Sequence, residues 1–153
     1  MHSTGYTIVG NKGLVGYELD QENFERAENL DIAYAEAIVD SELAQKHIQL
    51  FLDRLKKYGF QTDDQKQCFV VTQAAKENWF KAAYEKFLSA VAGITLEGFM
   101  RLDARILGNI IDDTYDAVII DEYDTVSSLD SFIRIAENGR TYYVIEPVYD
   151  VYR

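Results

Sequence analysis

TYYVIEPVYDVY, residues 141–152, is built almost wholly from β-branched and aromatic residues. It reads as one or two strands broken at Pro147, because a residue without a backbone N–H belongs at a sheet edge or a bend. Just upstream, SLDSFIRIAEN (128–138) has helical spacing, with Ser128 as N-cap and Asn138-Gly139 as the stop. YDAVII (115–120) is the short apolar run of a buried strand. Strand, helix and strand thus follow one another within one stretch of chain.

The same alternation extends toward the N-terminus. YTIVG (6–10) and LVGYEL (14–19) flank Asn11-Lys12-Gly13 and predict a hairpin. Asp20 is an N-cap for a short acidic helix near 21–29. Val39, Leu43, His47, Phe51, Leu55 and Tyr58 form a stripe that predicts helix across 31–58, as one unit or as two with Ser41 capping the second. Gly59 ends it. QCFVVT (67–72) is β-rich. Thr72 then caps a helix whose apolar face, from Ala75 through Trp79, Phe80, Tyr84 and Leu88 to Val91, is expected to be core. Gly93 closes that helix and Thr95 opens another, with Phe99, Leu102, Ile106 and Ile110 in register. The expectation is α+β: a single domain over 1–153, a mixed β-sheet packed against several helices on one side.

At 153 residues, with 48% apolar and 13% aromatic content, the chain can bury a core and is no disordered acidic tail. Cys68 is the only cysteine, which excludes an internal disulfide, a thiol zinc site and a CxxC pair. Together with a start, MHSTGYTIVGNK, that lacks a basic-then-apolar leader, this makes the cytoplasm the expected location. No run of residues is apolar enough for a membrane span.

The net charge is −11, unevenly spread. Residues 18–42 hold nine acids against Arg26, and 109–130 hold seven acids with no lysine or arginine, whereas 43–101 are mildly basic. AVIIDE (117–122) has the look of a Walker B strand, but no GxxxxGK[ST] accompanies it, so nucleotide hydrolysis is disfavoured. The acids of 112–124 offer hard oxygens for a divalent ion, yet no lysine follows Lys86 and no histidine follows His47 to serve a metal-dependent nuclease. His2 is read as a frayed terminal residue and His47 as a packed or boundary one. No nucleophile–base set can be assembled, so no catalytic residue, cofactor or metal is assigned. Direct nucleic-acid binding is disfavoured by the charge.

What remains is a surface. Glu22, Glu25 and Glu28 recur at helical spacing, and Asp112, Asp113, Asp116, Asp121, Glu122 and Asp124 are interleaved with Tyr115 and Tyr123. These residues are the candidate partner-binding site. Carboxylates in such rows can stand in for phosphates before a basic nucleic-acid-binding protein or nuclease. Small acidic anti-restriction and anti-CRISPR inhibitors of phages and mobile elements act as DNA mimics of this type, a comparison that rests on charge and size and identifies no family. The rival readings are a metal-dependent enzyme using the 112–124 carboxylates and a homo-oligomer assembled through the tyrosine-rich C-terminal strands.

Overall fold

The computed structural model describes residues 2–11, 13–27, 30–101 and 117–152. Its frame is a seven-stranded mixed sheet. The strands are β1 (His2–Val9), β2 (Tyr34–Ala37), β3 (Gln61–Asp63), β4 (Cys68–Val70), β5 (Ala117–Ile120), β6 (Val126–Ser128) and β7 (Thr141–Tyr152). The order is β3-β4-β7-β1-β5-β6, with β2 added to β7. The helices are α1 (Gln21–Glu25), α2 (Ser41–Lys57), α3 (Gln73–Ala92), α4 (Leu96–Met100) and α5 (Leu129–Ile135). The α+β class is as expected.

The C-terminal run is one strand of twelve residues in the interior of the sheet, not an edge. β1 runs antiparallel along one side of it, while β4 pairs with 141–143 and β2 with 149–152 on the other. Pro147 is tolerated there because the β1 ladder is irregular at that point. Tyr6 faces Val148 but Thr7 faces Ile145, which leaves Glu146 and Pro147 outside the pairing. The Thr7 hydroxyl donates to the Pro147 carbonyl at 2.7 Å. Ser41 and Gln45 of α2 both donate to the Glu146 carboxylate at 3.2 Å, so the bulge also seats the start of α2.

Two local expectations fail. LVGYEL is not a strand, and no hairpin forms with β1, because both edges of β1 are taken, by β7 and by β5 in parallel. Residues 31–40 are not helical either. Asp31 has positive φ (51°), β2 follows, and α2 begins at Ser41 with Asp40, rather than Ser41, as the cap accepting from Glu42 and Leu43. Val39, placed on the helical stripe, is exposed, and the buried positions are Ala44, Ile48, Phe51, Leu52 and Leu55. Thr72, Thr95 and Ser128 cap as expected, accepting from Ala75, Gly98 and Ser131.

The sheet is covered on two faces, not one. Tyr6, Ile8, Ile119, Val144 and Val148 pack beneath α2, α5 and the first turns of α3. On the opposite face Val118, Ile120, Tyr149 and Val151 are covered by Phe24 of α1 with Leu19, Leu30 and Ile32. Gly5 allows the closeness there, since a Cβ would stand 3.1 Å from that of Tyr149. The α3 face is core only as far as Phe80; Tyr84, Leu88 and Val91 are exposed. At 20 residues the helix is about 30 Å long, and only its first turns meet the core. Among the described residues no helix is long and apolar enough to cross a membrane.

Candidate partner-binding site

The segment 13–20, between β1 and α1, is neither strand nor helix, and it builds the site. It is pinned at three successive points. A Cβ at Gly16 would lie 2.3 Å from the Glu146 carbonyl oxygen, so glycine alone lets the backbone rest on the β7 bulge. The Tyr17 hydroxyl donates to the Asp124 carboxylate in the β5–β6 loop. The Leu19 amide donates to the Tyr149 hydroxyl at 3.0 Å. Between this segment and the ends of β1 and β5 lies a cavity of about 190 Å³, lined by Thr7, Val9, Leu14, Leu19 and Ile120 with Asp121, Glu122 and Asp124. β1 and β5 are parallel, so the cavity sits outside their carboxyl ends.

The loop that carries the second acid run is organised by its own acids. Asp121 Oδ1 accepts from the amides of Tyr123 and Thr125, both at 2.9 Å. Asp124 has positive φ (61°), a conformation that aspartate tolerates. Glu122 faces Arg140 at 3.5 Å, with its side chain only 18% exposed. The Arg140 guanidinium lies where a Cβ at Gly10 would be and over the ring of Tyr142, so it fixes the back of the loop. The Walker-like look of AVIIDE therefore reflects a buried strand followed by a self-capped turn. Tyr123 points outward, 82% exposed.

The first acid run is shorter as a helix than its spacing predicts. α1 ends at Glu25, with Arg26 as its C-cap, so of the glutamate row it carries Glu22 and Glu25. Glu22 pairs with Arg26 at 2.6 Å, both exposed. Glu18, Asp20, Glu25, Asp121 and Asp124 have no lysine or arginine in ion-pair reach among the described residues. Glu28, Asp112, Asp113, Tyr115 and Asp116, also assigned to the site from sequence, lie outside the described residues.

The hydroxyl of Tyr17 is held above the usual tyrosine range chiefly by its bond to Asp124. Tyr149 is pushed up first by burial, with Glu18 from one run and Asp124 from the other both adding to the rise. The Leu19 amide, which donates to the same hydroxyl, opposes that rise.

Three features escaped the sequence reading. Gly16 and Tyr17 were masked by the β-like look of their neighbours. His2 is not frayed: it opens β1, packs edge-to-face against Tyr152 and meets Asp150 at 3.2 Å. It lines, with His47 and Asp150, a second cavity of about 330 Å³ under the start of α2. No sequence signal connects residues 2, 47 and 150. Among the described residues no three histidine, cysteine or acidic side chains are grouped to hold a metal ion. No protein-family model, curated protein or solved structure matches the chain.

Proposed function

We propose that the chain is a non-enzymatic binding protein that presents an acidic face to a basic, nucleic-acid-handling partner and blocks it by occupying its phosphate-binding groove. The observation that carries this reading is the Tyr17–Asp124 hydrogen bond, which ties the chain just ahead of the first acid run to a carboxylate of the second. Glu18, Asp20, Glu25, Asp121 and Asp124 have no basic partner within the described residues, and exposed Tyr17 and Tyr123 supply the amphipathic rings common at interfaces. Attraction between unlike faces speeds encounter and weakens with salt.

The test is capture of proteins from cell extract on the immobilised chain at low and high salt, followed by release with duplex DNA. Basic nucleic-acid-binding proteins that DNA displaces are the expected result. The variant Glu18→Lys/Asp20→Lys/Glu25→Lys, which touches no described salt bridge, should bind a captured protein roughly tenfold or more weakly, mainly through slower association. Retention that DNA does not disturb, or equal affinity in the folded variant, would overturn the proposal. Glu122 and Asp121 are poor choices for charge reversal because both hold the loop.

A further inference from the structure

We infer that the cavity beside Tyr17 is a socket for one arginine side chain of the basic partner. This rests on the acidic-face reading and specifies how that face grips. At about 190 Å³ the cavity falls below the roughly 300–1,000 Å³ typical of small-molecule sites, which disfavours a nucleotide or cofactor and suits a single side chain.

Its lining is of two kinds. Val9, Leu14, Leu19 and Ile120 are apolar, and Asp121 and Asp124 bring carboxylates to the same space. An arginine matches both, laying its methylene stem on apolar surface while its guanidinium meets carboxylate. The complementarity is specific to atoms. Asp121 Oδ1 is taken by two loop amides and Asp124 Oδ2 by the Tyr17 hydroxyl. The second oxygen of each accepts nothing among the described residues. Glu122, the third acid of the lining, already holds a guanidinium of this chain, that of Arg140. Tyr17 also lines the space, and aromatic rings attract planar cations. Lysine fits less well, being a strongly hydrated point charge with no planar fork. The walls stand before any partner arrives, since Gly16, Tyr17 and Leu19 are each anchored, so little ordering opposes entry.

The probes are hexa-arginine and hexalysine peptides, titrated calorimetrically at low salt, with amide shifts followed by NMR. Hexa-arginine should bind several-fold more tightly than hexalysine and shift Val9, Leu19 and Ile120. Leu14→Trp, which fills the socket at unchanged charge, should weaken hexa-arginine about tenfold, a loss of about 1.4 kcal/mol, and leave hexalysine unaffected. Val15→Trp, at a more exposed lining position, serves should the first variant unfold. Equal hexa-arginine affinity in wild type and the filled variant overturns the socket while the acidic face stands. Failure of both peptides to bind wild type removes the face and the socket together.

Discussion

Gly16 has no room for a side chain, and its role is testable apart from any partner. Gly16→Ala forces the 14–20 segment off the Glu146 carbonyl and should cost about 1–3 kcal/mol in urea unfolding, as overpacking does. Tyr149 gives a second prediction at this scale. Its folded-state pKa lies above the ordinary tyrosine value of 10.0, so the folded protein holds that proton more tightly than the unfolded chain. The resulting stability is full below pH 10.0 and is lost as pH rises through the folded value. Unfolding midpoints should therefore fall above that pH, and fall less steeply in Tyr149→Phe. An equal decline in the two proteins would contradict this. Neither residue was legible in the sequence as part of a site. A glycine in a β-like run and a tyrosine among eleven carry no mark of what they will touch.

Whole elements were easier to read where the signal is local. Caps at Thr72, Thr95 and Ser128 and the stop at Gly59 depend on a few adjacent residues, and all stand where they were expected. Thr72→Ala should lower stability by about 1 kcal/mol, measured by thermal unfolding, through an unsatisfied Ala75 amide. Elements that depend on distant partners were misread. Residues 34–37 alternate weakly and become a strand only because the end of β7 offers an unpaired edge. LVGYEL has strand composition but finds both edges of β1 occupied. α1 is five residues long and depends on tertiary contact, chiefly Phe24 against Tyr149 at a ring separation of 4.9 Å. Phe24→Ala should cost about 3–5 kcal/mol and detach the first acid run from the sheet. In calorimetry that appears as a lowered melting temperature, and in binding as a loss comparable with the charge-reversal variant.

For the whole molecule, the α+β class was readable because strands and helices alternate along the chain, but the sheet order was not. Charge segregation was visible as a row of letters. That Tyr17 and Glu18 come close to Asp124 and Tyr149 follows from the path of residues 13–19, which no pattern encodes. A partner held by the acidic face should show an affinity that falls steeply with added salt through its association rate, with dissociation changing little; a salt-independent rate would speak against electrostatic capture.

The pairing of β1 with β7 has a further consequence, in time rather than in space. Among the described elements β1 is made before all the others and β7 after them, so the centre of the sheet closes across all the elements that lie between. Until 141–152 are made, α2 and α1 have no floor to settle on, and their apolar faces stay open to chaperones and to one another. Folding of this protein is therefore an event of completion, slow for its size as non-local sheets are. A premature stop a dozen codons before Tyr152 would abolish the structure rather than trim it.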